Sequence, residues 1–158
     1  MPTLLQINAT ANVGSTGRIA AQIGDIAVQN GWTSWIAYGR MARECGSKLY
    51  RIDSKLDYLW HGVMTLLFDR HCLSSTKATK HLIKFIEKLK PDVIHLHNLH
   101  GYYLDIEVLL GFLSKAGIPV VWTLHDCWAF TVITGQFASA KTPKLTLPRR
   151  ARTGPKPR

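Results

Sequence analysis

The chain has 158 residues, enough for one substantial core, and its 46% hydrophobic content is that of an ordinary soluble globular domain. Its net charge of +10 is unevenly spread: residues 1–131 carry 13 Lys+Arg against 10 Asp+Glu, while Lys141, Lys144, Arg149, Arg150, Arg152, Lys156 and Arg158 follow without an acid. The body is therefore no nucleic-acid surface, and Cys45, Cys72 and Cys127 lack the number and spacing of a disulfide framework or a zinc site. No secretory signal or apolar stretch of membrane-spanning length is visible, so a reducing cytoplasm is the expected compartment.

In chain order, residues 3–8 read as a first strand, apolar enough to be buried on both faces. A loop is expected over residues 9–18, with Gly14, Ser15, Thr16 and Gly17 in it, followed by a helix on which Ile19, Ile23, Ile26 and Ala27 recur at helical spacing. Strand, glycine loop and helix together present backbone N–H groups and the positive helix end to an anion, and Arg18 can add a charge-assisted contact. The motif is neither GxGxxG nor GxxxxGK[ST], and alone it is as consistent with a plain tight turn.

Residues 33–39 read as the second strand, with Trp35, Ile36, Ala37 and Tyr38 at its centre; Arg40 and Arg43 after it are secondary candidates for an anionic ligand. A short third strand fits residues 49–52. Residues 55–70 have the broad apolar face of a helix packed on a sheet, and residues 76–90 form a clearer amphipathic helix. In the latter Leu82, Ile83, Ile86 and Leu89 point inward, and Lys77, Lys80, Lys84, Lys88 and Lys90 point to water or to anionic lipid.

The centre of the chain is the run from Pro91 to Tyr103. Val93, Ile94 and Leu96 have the character of a short core strand, and His95, His97, Asn98 and His100 cluster at its carboxyl end. In open parallel α/β sheets the ligand crevice lies at that edge. His95 is as readily a hydrogen-bonded structural residue as a functional one, whereas His97 and His100 are better site candidates. A helix over residues 104–115 and an apolar strand over residues 120–124 follow, and the strand again delivers polar groups, His125 and Asp126, at its carboxyl end. Right-handed βαβ units would bring both clusters and the glycine loop to one crevice.

Four motifs carry a resemblance. Gly14 to Arg18, Ala37 to Arg40, His95 to Tyr103 and Trp122 to Thr131 resemble, in order and spacing, the amino-terminal half of family 4 glycosyltransferases, most closely the bacterial members that build polysaccharides. The resemblance implies an α/β fold over residues 1–131, a Rossmann-like, mostly parallel sheet with helices on both faces, forming the amino-terminal half of a GT-B enzyme. It further implies sugar transfer with retention from a nucleotide-sugar, the donor substrate, to a glycan or lipid-linked acceptor, with no metal or other cofactor. By the same resemblance Gly14, Ser15, Thr16, Gly17 and Arg18 reach the donor diphosphate, and His97 is the catalytic strand-end histidine beside the transferred sugar. Asn98, His100, Tyr102, His125 and Asp126 bind substrate.

After Thr131 the family pattern stops. Residues 132–158 hold four of the seven prolines and no acid, the composition of a disordered basic tail. A frameshift accounts for the switch, since the codons of Val132, Ile133 and Thr134 read one base earlier can encode Gly-His-Tyr. On that reading the nucleotide-binding carboxyl-terminal domain is missing and the chain alone is inactive. The alternative is a non-enzymatic binding protein whose tail engages nucleic acid or acidic lipid by charge, and it is the weaker reading because the tail has Phe137 as its only aromatic. A cytoplasmic place at the inner face of the membrane suits either.

Overall fold

The computed structural model describes residues 1–52, 76–100 and 103–126; the helix expected over residues 55–70, Cys72, Tyr102, Cys127 and residues 132–158 lie outside them. The elements run β1 (Thr3–Ala11), α1 (Gly14–Gln29), β2 (Thr33–Ala42), β3 (Lys48–Arg51), α2 (Thr76–Leu89), β4 (Val93–Leu96), α3 (Ile106–Ala116) and β5 (Val120–Trp122). All pairings among the five strands are parallel, in the order β3-β2-β1-β4-β5. The chain leaves β1 to build outward through β2 and β3, then returns to β1's other edge for β4 and β5. The switch point of this Rossmann-like sheet is therefore the junction of β1 and β4, and the crevice lies beyond their carboxyl ends.

Alternation along the strands assigns the two faces. On β2, Ile36 packs with Ala20 of α1, whereas its neighbour Trp35 meets the Phe85 ring of α2 at 5.3 Å, so α1 and α2 cover opposite faces. Leu5, Ile7, Ile36, Ile94 and Leu96 are fully buried in the sheet, each contributing about 1.5–3 kcal/mol of transfer free energy. Asp105 knits the second layer together. It caps α3 by accepting from Val108 N at 3.2 Å, accepts from Thr76 Oγ1 at 2.8 Å, and its own N–H donates to Thr79 Oγ1 at 2.7 Å.

Three local expectations give way. The glycine loop is short: β1 runs on to Ala11 and α1 begins at Gly14, so Gly14 to Arg18 form the first turns of the helix, reached through Asn12 and Val13. Asn12 and Gly14 both take positive φ, 53° and 69°, which turns the chain sharply enough to start a helix two residues after a strand. The isoleucine stripe is not the buried face of α1. Ile19 and Ile26 are 38% and 59% exposed, and Gly17, Ala20, Ala21 and Gly24 face the sheet instead. Close approach requires them: a Cβ on Gly17 would lie 2.6 Å from Thr10 Oγ1, and one on Gly24 2.0 Å from Ser47 Oγ. Finally, β5 stops at Trp122 rather than Leu124, and Val120, Val121 and Leu124 are exposed.

Candidate functional site

Most of the polar groups at the switch point project from one face of the sheet. In register, Gln6 of β1 lies beside His95 of β4, and His95 beside Val121 of β5, so Gln6, Asn8, His95, His97, Thr123 and His125 share that face. Gln6 and Asn8 are fully buried and His97 is 2% exposed. Buried polar groups of this kind need partners, and these have them.

The pairs form a chain. Gln6 Nε2 donates to the Ala20 carbonyl at 2.8 Å, and Gln6 Oε1 lies 3.0 Å from His97 Nε2. His97 Nδ1 is in turn 3.1 Å from His125 Nε2, with the rings stacked at 5.4 Å. His95 sits against His97 at 4.0 Å and its Nε2 bonds Thr123 Oγ1 at 2.8 Å. Burial, reinforced by His95 and His125, pushes the His97 imidazole down to about 3, and burial with His125 lowers His95. His97 is accordingly neutral at physiological pH. The indole of Trp122 donates to the His97 carbonyl at 3.1 Å and fixes the strand end.

Around this core lie the more exposed groups. His100 Nε2 pairs with Asp126 Oδ2 at 2.8 Å, joining the loops after β4 and β5, with side chains 37% and 44% exposed. Asn98 donates its backbone N–H to Asn8 Oδ1 at 3.2 Å and its carbonyl accepts from Tyr103 Oη at 2.7 Å. The first turn of α1 follows β1 directly, which places Gly14, Ser15, Thr16 and Gly17 on the same sheet edge as the histidines. Its N-cap, Val13, offers no side-chain acceptor, and the first turn holds no acidic residue. Arg18 Nε donates to the Gly14 carbonyl at 3.1 Å, laying the guanidinium along that turn. Of the secondary arginines, Arg40 lies in β2 and Arg43 just beyond it, its N–H bonded to the Ala11 carbonyl.

His97, expected to meet the transferred sugar, lies beneath the surface with its ring nitrogens bonded to Gln6 and His125. His125, expected to bind substrate, is the partly exposed member of the pair. Gln6, Asn8 and Thr123 were not singled out from the sequence. A signal existed for two of them: Gln6 and Asn8 are polar residues alternating within an otherwise apolar strand, which marks a buried polar stripe.

The fold and this edge define an α/β domain of the Rossmann-like class with its polar crevice at the topological switch point. The chain belongs to Glycosyltransferase Family 4, whose family model matches residues 30–154. That match begins after α1 and continues past Thr131, where the four motifs end. Among curated proteins it is similar to one from Escherichia coli (strain K12) named "Putative colanic acid biosynthesis glycosyl transferase WcaC", 24% identical over 140 residues. The aligned region covers 81% of this chain and 34% of that protein, so the chain spans about a third of that relative's length. No solved structure matches it. Among the described residues no helix is long and apolar enough to cross a membrane.

Proposed function

We propose that the chain is the acceptor-side, amino-terminal domain of a GT-B glycosyltransferase that moves a sugar, with retention, from a nucleotide-sugar to a glycan or lipid-linked acceptor in polysaccharide synthesis. The observation that supports this best is the convergence on one sheet edge of an uncapped helix N-terminus and the histidine groups ending β4 and β5. The two halves suit the two ends of a sugar–diphosphate. Backbone N–H groups of the first turn of α1, with Arg18, favour the negative charge that grows on the leaving diphosphate as the glycosidic bond breaks. His125, Asn98, His100 and Asp126 supply hydrogen bonds to sugar hydroxyls, and His97 acts from behind His125. The exposed row Lys77, Lys80, Lys84, Lys88 and Lys90 on and just after α2 offers a peripheral contact to an anionic membrane face.

Transfer also requires a closed, water-poor cleft, and orientation in such a cleft is worth about 7–11 kcal/mol of barrier. The nucleotide-binding half supplies the other wall, so the 158-residue chain is inactive alone. The test is a sugar-nucleotide hydrolysis and transfer assay on the purified chain beside the same chain joined to the carboxyl-terminal half of a family member. Turnover is expected of the joined protein only. A joined, folded protein that turns over no sugar nucleotide, or a lone chain that matches it, would refute the reading.

A further inference from the structure

Two residues buried beneath the crevice, Gln6 and His97, dictate which hydrogen-bonding face it presents. The amide of Gln6 is oriented by α1: with Nε2 donating to the Ala20 carbonyl, Oε1 faces His97. The flipped amide would set its oxygen against that carbonyl oxygen, two acceptors in contact, with no proton between them. A carboxamide oxygen only accepts, so His97 Nε2 carries a proton. A neutral imidazole holds one proton, which leaves His97 Nδ1 as an acceptor. The proton shared with His125 must then come from His125 Nε2, and in the neutral His125 ring the other nitrogen, Nδ1, is the acceptor.

We propose that Gln6 and His97 are positioning residues that lock His125 in its Nε2–H tautomer, so that the crevice meets a ligand with the acceptor nitrogen Nδ1. Such a nitrogen selects a hydroxyl donor, the chemistry of a sugar ring, and disfavours a second acceptor such as a phosphate oxygen. The inference deepens the sugar-transfer reading for its choice of ligand, but the relay itself is independent of that reading. The depressed basicity of His97 supports it, since a protonated His97 would break the one-proton count.

Imidazole 15N shifts of the full 158-residue chain at neutral pH decide the matter, with His97 and His125 assigned by His97→Gln and His125→Asn. Both rings are expected as Nε2–H tautomers. In Gln6→Leu the acceptor is gone, His97 is free to exchange its proton position, and the His125 signals should move toward the Nδ1–H form. A wild-type His125 found as the Nδ1–H tautomer, or a folded Gln6→Leu protein with His125 unshifted, overturns the proposal. Should Gln6→Leu not fold, the wild-type tautomers alone decide. A correct tautomer pattern in a protein whose joined form turns over no sugar nucleotide would sink the transferase reading and leave the relay standing.

Discussion

Asn8 of β1 holds the backbone of Asn98 beyond β4: its Oδ1 accepts the Asn98 N–H at 3.2 Å while its Nδ2 donates to the Thr10 carbonyl at 2.9 Å. One fully buried side chain thus ties the irregular carboxyl end of β1 to the loop after β4 at the switch point. Asn8→Ala takes a hydrogen bond from each of these half-buried backbone groups, and each loss costs about 1–2 kcal/mol. The expected outcome is a loss of about 2–4 kcal/mol in urea unfolding, with amide exchange accelerated first at Asn98. Uniform acceleration across β1 and β4 would count against a local tie.

Two glycines separate close packing from mere flexibility. A Cβ on Gly39 would fall 2.2 Å from Tyr103 Cγ, a ring that is 1% exposed and bonded through its hydroxyl to Asn98, so Gly39→Ala should cost about 1–3 kcal/mol and disturb the β4 loop. Gly111 lies within α3 with nothing inside 4 Å of a built Cβ, and Gly111→Ala should stabilise by about 0.5–1 kcal/mol. Thermal melts of the two variants should move in opposite directions. A destabilised Gly111→Ala would show that this helix face is covered.

The neutral, buried His97 makes stability depend on pH. In the unfolded chain an imidazole titrates near its ordinary value of about 6.5, and in the fold His97 titrates at about 3, so between these limits the unfolded state binds the extra proton. Stability is whole above about pH 6.5 and falls as pH drops toward 3, by about 1.4 kcal/mol per unit from this group. His95, also lowered, adds in the same direction. Urea midpoints from pH 7 to pH 4 should fall more steeply for the wild type than for His97→Gln. Parallel slopes would mean that His97 is not held neutral.

Much of this was legible in the sequence because parallel strands are apolar runs and their ends are polar. The runs around Leu5, Ile36, Ile94 and Val121 located strands, and the histidines following two of them located the edge of the crevice. What the pattern hid follows from size and partnership. Helical spacing of Ile19, Ile23 and Ile26 marked the wrong face of α1, since a helix seated within touching distance of Thr10 and Ser47 needs Gly17 and Gly24 at the contact, and hydropathy does not weigh a missing Cβ. His97 was visible as a strand-end histidine, but its burial depends on Gln6, ninety-one positions away, and on His125. No local window contains that trio.

The first turn of α1 should bind diphosphate weakly by itself. A helix N-terminus contributes about 0.3–1 kcal/mol to holding an exposed anion, and an exposed arginine contact adds about as much again. Further hydrogen bonds from the turn's N–H groups, about 1.5–3 kcal/mol for one to a charged partner, bring the sum to about 3–4 kcal/mol, near millimolar affinity. Arg18 is held in place by its bond to the Gly14 carbonyl, so its guanidinium is already aligned with the turn. In a titration with a nucleoside diphosphate followed by amide NMR, Ser15, Thr16 and Gly17 should shift at millimolar ligand. Arg18→Ala should weaken binding roughly fivefold, the equivalent of about 1 kcal/mol. Raising the salt should weaken it further, since the contact is exposed and screened. Micromolar binding that Arg18→Ala leaves untouched would place the diphosphate site elsewhere and would remove the reason for assigning the α1 end of the crevice to the leaving group.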